Sequence, residues 1–380
     1  MTAPRLLPGT ERIGVVGLRG VPGVMGGIET HVEQLYPRLR RLSPGRPIDL
    51  TERSPYVDAT RREWNGLALW PLPALRNKYL ETILHTFVAI LFLRFRRRTR
   101  LVHIHAIGPG LLAPFARALG MRVLLTHHGQ DYDRAKWNAP AKALLQLAER
   151  LAVGGANETI VVSEAVARSL RKRFVHKADR IHAIPNGAGA VFRGSDGSWD
   201  AAVLARFGLS PRGYILGVGR LVPEKAFHEL IAAHAQSGDP RTLVIAGGAD
   251  HQDAYARDLL ARASNRVVFA GFQSHEVLRT LYTAASVFVM PSHHEGLPIA
   301  ALEAAATNTP MLLSDIPANL EIALPDACYF PMGSIDALAA KLAAAPETFA
   351  IDGEAINARF DWDEIARATD RIITRALARI

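Results

Sequence analysis

Four short segments concentrate residues able to hold anions, hydroxyls or protons. The densest is Pro291-Ser292-His293-His294-Glu295-Gly296-Leu297-Pro298-Ile299-Ala300-Ala301-Leu302-Glu303-Ala304, which directly follows the apolar run SVFVM. Pro298 suits the first turn of a helix, where a missing N–H costs nothing. Glu295 then falls in a loop at a strand's carboxyl end, and Glu303 one to two turns into the helix. Two carboxylates on one wall can each accept paired hydrogen bonds from hydroxyls, and sugars are rows of hydroxyls. The plainer alternative is a capping glutamate beside an unrelated surface salt bridge.

The second segment is Gly217-Val218-Gly219-Arg220-Leu221-Val222-Pro223-Glu224-Lys225. Its glycines let the backbone approach a ligand, and the amides of a following helix attract anions. Arg220 and Lys225 add two cations at the same mouth, which suits a diphosphate; an ordinary surface turn is the competing reading. The third segment runs from Arg19 through Gly20, Gly23, Gly26 and Gly27 into a helix bearing Glu29, His31 and Glu33. Such a loop either cradles phosphate or closes over a substrate. It is too long for the dinucleotide fingerprint, and the chain has no Gly-x4-Gly-Lys-Ser/Thr phosphate loop.

The fourth is Thr126-His127-His128-Gly129-Gln130-Asp131-Tyr132-Asp133-Arg134. Adjacent histidines on an extended strand point to opposite faces and do not readily share a metal. Asp131-Tyr132-Asp133 has the Asp-x-Asp metal pattern, but so does Asp361-Trp362-Asp363, which reads as a helix start. We expect a metal at neither.

These segments need a scaffold, and the chain supplies an α/β one. Short apolar strands alternate with longer helical stretches, as in parallel sheets. The first half offers Arg12–Gly17, Leu101–Gly108, Val123–Gly129, Thr159–Glu164 and Ile181–Gly187 as strands. The second offers Tyr214–Leu221, Thr242–Gly248, Val267–Phe272, Ser286–Ser292 and Met311–Asp315, with helices at Phe227–Gln236 and Val277–Ala285. Residues 188–212 are turn-rich around Gly194-Ser195-Asp196-Gly197-Ser198 and read as a connection. The expected boundaries are 1–190, 191–357 and a terminal helix over 358–380 that crosses back to the first domain. Two Rossmann-like parallel-sheet domains should face each other across a cleft, with ligand at the strands' carboxyl ends.

Length and composition agree with two domains. The 380 residues are 49% hydrophobic and 21% charged, enough for two cores and unlike a disordered chain. Lys and Arg total 45 against 36 acids, a net +9, which suggests an anionic partner without choosing one. The single cysteine, Cys328, excludes an internal disulfide and fits a reducing compartment. Met1–Thr10 lacks the apolar core of a signal peptide. Thr82–Leu93 is far shorter than the roughly 20 residues of a spanning helix. It is either a helix buried against a sheet or one at a bilayer interface, with Arg94, Arg96, Arg97, Arg98 and Arg100 on head groups.

In their order, GGIETHVEQL (26–35), IPNG (184–187), GVGRLVPEK (217–225) and PSHHEG…ALEA (291–304) resemble the GT-B glycosyltransferases of family 4, over nearly the whole chain. The bacterial enzymes that build cell-surface polysaccharide are most similar, and NKYLETILHTF (77–87) and THHGQDYDRAKW (126–137) fit that subgroup. The resemblance implies a retaining, metal-independent, hexosyltransferase-like enzyme without a cofactor. It would move a sugar from a nucleotide-diphosphate donor to a saccharide acceptor, lipid-linked, at the cytoplasmic face of the membrane. Arg220 and Lys225 would hold the diphosphate and stabilise the leaving group. Glu303 would hold the ribose, and Glu295 the sugar hydroxyls beside the amides after Gly296, including Leu297. Gly26, Gly27 and Gly219 would let backbone approach the donor. Gly271 and Phe272 would border the base, and His128 the sugar near its reacting carbon. One departure is Ala226, where the family usually has glycine.

Two other readings differ in class. A nucleotide-sugar epimerase or hydrolase on the same plan would turn over donor without acceptor. A nucleic-acid-binding protein would suit the charge, but no aromatic-interleaved basic stripe or helix-turn-helix supports it.

Overall fold

Within the short aliphatic runs nearly every residue is buried, the pattern of parallel strands covered on both faces. The computed structural model describes residues 11–75, 80–129, 139–193, 197–249 and 254–378. Asn77 to Tyr79, Gln130 to Trp137 and Gly194-Ser195-Asp196, named above, lie outside the described residues.

Contacts divide the chain into two compact units. Of the described residues the first takes 11–185 and 362–378, and the second 186–361. In the first, β1 (Ile13–Val16), β2 (Ile48–Arg53), β3 (Glu63–Trp64), β4 (Leu67–Leu72), β5 (Leu101–His105), β6 (Arg122–His127), β7 (Glu158–Val161) and β8 (Ile181–Ala183) form one sheet. Its order is β3-β4-β2-β1-β5-β6-β7-β8, parallel except for the β3–β4 hairpin. Asn65 and Gly66 turn that hairpin with φ of 49° and 75°, as a two-residue turn of this hand requires.

Two apolar layers cover this sheet. One joins Ile13, Val15, Leu35 and Leu39 to Trp362, Ile365 and Ile373, so helices Gly27–Leu42 and Trp362–Ala378 share a face. The other joins Val16, Ile90, Leu93, Val102 and Ile104 to helices on the opposite face. Alternation along β5 therefore sends Val102 and Ile104 one way and Leu101, His103 and His105 the other. The two histidines face helix Gly27–Leu42.

The second unit has β9 (Tyr214–Val218), β10 (Thr242–Ala246), β11 (Val267–Gly271), β12 (Val287–Met290), β13 (Met311–Ser314) and β14 (Tyr329–Phe330). Their order is β11-β10-β9-β12-β13-β14, all parallel. The order reverses at β9, and loops at the carboxyl ends there are the natural ligand site. The stretch read as a connection contains helix Ala201–Arg206, capped by Asp200.

The Thr82–Leu93 question resolves into a divided helix. Helix Glu81–Leu91 continues as a π-turn to Arg96 and buries Glu81, His85, Thr86, Ala89, Ile90 and Leu93. Leu84, Phe87, Val88 and Phe95 are exposed. The arginines of the basic end divide between packed and exposed positions. Arg94 donates to the Leu119 carbonyl at 2.8 Å. Arg97 pairs with buried Asp49 at 3.1 Å and covers the Trp70 ring at 4.4 Å. Arg96, Arg98 and Arg100 are exposed. No helix of the described residues is long and apolar enough to cross a membrane.

Candidate functional site

Four loops meet at the carboxyl edge of the second unit's sheet. After β9 the chain turns at Gly219, whose N–H donates to the Ala246 carbonyl at 3.0 Å. After β10, Gly247 passes so close that a Cβ would overlap the Gly219 carbonyl, and its φ of 141° also demands glycine. Its N–H reaches the carbonyl of Gly271, which ends β11, at 2.8 Å. Gly271 has φ 70°, and the Phe272 ring beside it is exposed. After β12, the His293 N–H donates to the Glu224 carbonyl at 2.9 Å.

On this frame Lys225 meets Glu295, Nζ to Oε1, at 2.5 Å. Burial would raise the Glu295 carboxyl, but the Lys225 ammonium and its hydrogen bond outweigh it and hold the group below the usual range. Arg220, half-buried, lies in the same loop. The backbone at Ala226 is left-handed, with φ 50° and ψ 32°, where the short turn Pro223–Lys225 hands over to helix Phe227–Ser237. Glycine would suit this conformation, and here a buried alanine adopts it.

Glu303 stands in helix Ile299–Ala306. Pro298 precedes that helix as its N-cap rather than opening its first turn, one residue from the expectation. The carboxyl is 5% exposed and accepts from the Tyr282 hydroxyl at 3.2 Å. Burial drives its pKa up to about 8, with the tyrosine opposing. Leu297 is buried, and its carbonyl accepts from Asn186 Nδ2 at 2.8 Å. Gly296 and Glu295 are half-buried at the loop's turn. The structure thus brings Gly219, Arg220, Lys225, Gly271, Glu295, Leu297 and Glu303 onto one sheet edge.

The first unit has its own polar edge. The loop after β1 closes through Arg19, whose backbone N–H donates to buried Glu29 at 2.9 Å and whose guanidinium donates to the Met25 carbonyl. Gly26 has φ 152°, and a Cβ there would overlap the Glu29 carboxylate. Gly27 has open space at its Cβ position. At the end of β6 the adjacent histidines diverge. His127 Nε2 meets buried Glu149 at 3.0 Å, while His128 Nε2 meets His105 Nδ1 at 3.0 Å.

His31, His105 and His128 each offer one nitrogen, all within 4.8 Å of one another. Such a trio has the chemistry of a transition-metal site, but His105 and His128 spend their facing nitrogens on each other. The His31 ring stands edge-on to His128 at 4.9 Å and to Trp362 at 5.4 Å. Just past His105, Ala106 has φ 71° and ψ 160°, a region nearly reserved for glycine.

The Glycosyltransferase Family 4 profile matches residues 25–188, and the profile for Glycosyl transferases group 1 matches 208–348. Together these matches support a family-4-like GT-B glycosyltransferase. It is 28% identical over 242 residues to an alpha-D-kanosaminyltransferase of Streptomyces kanamyceticus, covering 59% of this chain. That alignment spans 63% of the relative, less than two thirds of its length. An alpha-maltose-1-phosphate synthase of Mycolicibacterium smegmatis is 28% identical, with 94% of this chain and 97% of the relative aligned. The GT-B fold is that of a sucrose-phosphate synthase from Thermosynechococcus elongatus, with TM-score 0.82 at 24% identity over 97% of this chain and 99% of the other.

Sequence reasoning overlooked several groups in this GT-B chain. Tyr282 holds Glu303, His105 bonds to His128, and Tyr36 links His105 to His103. The alternation in Leu-Val-His-Ile-His signalled His103 and His105 on one face. Nothing local tied them to Tyr36. A separate cavity of about 520 Å³ lies beside the amino ends of β6 and β7, lined in part by Arg117, Arg150, Lys177 and Arg180. Its lysine already donates to the Val153 and Ala156 carbonyls, and it is remote from the carboxyl edge where the motifs lie.

Proposed function

We propose that the chain is a retaining, metal-independent glycosyltransferase that uses a nucleotide-diphosphate sugar donor and extends a lipid-linked saccharide. The observation that carries this reading is the edge where Arg220, the Lys225–Glu295 pair and buried Glu303 converge. The cations and neighbouring amides neutralise a diphosphate leaving group, which is what such a departure needs. Glu303 accepts from ribose hydroxyls, and Glu295 from the sugar. Gly271 and Phe272 offer backbone and a ring face to the base. Gly26, with Gly27 beside it, keeps backbone exposed in the first unit's loop, and His128 takes an oxygen of the sugar.

In the proposed reaction the bond between the anomeric carbon and the diphosphate oxygen breaks. The acceptor oxygen bonds to the same face of that carbon, and its proton passes to the departing phosphate oxygen. No protein nucleophile is required. Two supporting names, an alpha-D-kanosaminyltransferase and an alpha-maltose-1-phosphate synthase, denote α-configured sugars.

A role at the inner face of the cell membrane, in surface polysaccharide assembly, is the finer part of the proposal. Exposed Leu84, Phe87, Val88 and Phe95 lie on one helix and its extension, with Arg96, Arg98 and Arg100 following. Apolar side chains with adjoining arginines suit an anionic bilayer surface. Removing those three charges should cut sedimentation with anionic vesicles several-fold; unchanged sedimentation contradicts the membrane role.

The test of the reaction is incubation with nucleotide-diphosphate sugars and polyprenyl-diphosphate saccharides, followed by mass and anomeric analysis of product. An elongated acceptor with the donor's anomeric configuration is expected, and it should vanish in Glu303→Gln. Donor turnover without acceptor would favour an epimerase or hydrolase instead.

A further inference from the structure

A buried line of hydrogen bonds runs through the first unit and ends at His128. Thr126 Oγ1 meets His103 Nε2 at 2.7 Å, and His103 Nδ1 meets the Tyr36 hydroxyl at 2.7 Å. That hydroxyl meets His105 Nε2 at 2.8 Å, and His105 Nδ1 meets His128 Nε2 at 3.0 Å. Thr126, His103, Tyr36 and His105 are wholly buried, while His128 is half-buried. Burial lowers the pKa of all three histidines, His103 to about 3, and raises that of Tyr36, so every member is neutral at pH 7.

Neutrality restricts the protons severely. A neutral imidazole has one N–H and one bare nitrogen, and a phenol one O–H to give. Each must donate in one direction and accept from the other, so the line has only two states. In the first, protons point from Thr126 towards His128. In the second they all point back. The states differ at the two ends.

At the inner end, the Thr126 hydroxyl has no partner but His103 among the described residues. In the first state it donates to His103 Nε2 and is satisfied. In the second it must accept there, which strands a buried hydroxyl proton. Such a group is costly enough to favour the first state by at least about five to one. At the outer end, His128 Nδ1 has no partner among the described residues.

We infer that Thr126, His103, Tyr36 and His105 are positioning residues that lock His128 in its Nδ1–H tautomer, making it a hydrogen-bond donor to an oxygen of the bound ligand. This excludes His128 as a general base at that nitrogen, whose lone pair is not available. That the oxygen belongs to the donor sugar rests on the proposed function. The tautomer does not.

The test is long-range ¹H–¹⁵N NMR of histidine-labelled protein, with the His128 signal identified by its loss in His128→Asn. The parent should show His128 protonated on Nδ1 by at least about five to one. Thr126→Val removes the group that breaks the tie and should raise the Nε2–H form, and Thr126→Ser should restore the parental ratio. Tyr36→Phe, which cuts the line at its centre, should also raise the Nε2–H form. An Nε2–H tautomer in the parent, or a ratio unmoved in both Thr126→Val and Tyr36→Phe, overturns the inference. If the parent turned over no nucleotide-diphosphate sugar, the proposed function would fail while the NMR result still decided the tautomer.

Discussion

Replacing Glu303 by glutamine should stabilise the free protein at neutral pH while weakening donor binding. The carboxyl is almost fully buried, and its pKa stands at about 8 against 4.5 for a free glutamate side chain. Between those two values the folded state holds a proton that the unfolded chain has released. The parent's stability therefore falls as pH rises through this window, and below about pH 4.5 the contribution is fully present. At pH 7 the gap is 2.5 units, which amounts to roughly 3 kcal/mol at about 1.4 kcal/mol per unit. Glutamine does not titrate, and its side-chain oxygen still accepts from the Tyr282 hydroxyl. The advantage of Glu303→Gln should thus be near zero at pH 4, reach roughly 3 kcal/mol at pH 7, and stop widening above about pH 8. For a unit of this size that is about 6–12 °C in Tm. Thermal unfolding of both proteins from pH 4 to 8.5 provides the assay. A gap that does not change with pH, or a variant less stable at pH 7 and equal at pH 4, would refute the reasoning.

The same carboxyl links binding to pH. Ribose hydroxyls that donate to Glu303 favour its ionised form, so nucleotide affinity should rise up to about tenfold per unit from pH 6 towards 8. Calorimetry in buffers of different ionisation heat should show a proton released at pH 7, and proton uptake contradicts this. Lys225→Met should leave the half-buried Glu295 carboxylate without its cation and cost about 1–3 kcal/mol. Adding Glu295→Gln should recover most of that stability without restoring transfer, and denaturant melts with turnover assays check both. Ala226→Gly should leave stability unchanged or raise it by up to about 1 kcal/mol, because relief of the left-handed alanine exceeds the added freedom of the unfolded chain. A loss of more than about 1 kcal/mol would speak against that backbone conformation. Gly26→Ala should disrupt the first unit's loop, seen as lost hydrogen-exchange protection at the Arg19 amide.

Strands such as Ile13–Val16 and Tyr214–Val218 were legible because parallel strands buried on both faces are continuous apolar runs. β2 was not, since four of the six residues in Ile48-Asp49-Leu50-Thr51-Glu52-Arg53 are polar. Asp49 is tolerable inside only because Arg12, Arg97 and Trp70 converge on it from distant segments. β4 contains Pro71, a residue uncommon within strands, although Asn65-Gly66 is a hairpin signal that marks its start. On the candidate site, Lys225 and Glu295 were each visible as residues, but their ion pair bridges loops 70 positions apart. Glu303 was singled out for accepting hydrogen bonds, and its protonated state follows from burial that no local pattern shows. His128 was likewise singled out without the buried line behind it. His103 and His105 share a face by alternation, but Tyr36 reaches them across 67 and 69 residues. The clustered arginines were misleading for the opposite reason: identical in sequence, Arg97 turns inward to Asp49 while Arg96 faces solvent.

The central claim, a donor site built on Arg220, Lys225, Glu295 and Glu303, is tested most directly by titrating nucleoside diphosphates and following the melting transition. At saturating UDP, GDP or ADP, at least one should raise the parent's Tm by several degrees. The same compound should have little effect on an Arg220→Ala variant or on Glu303→Ala. A parent unmoved by all three, or variants that respond as fully as the parent, would contradict the account.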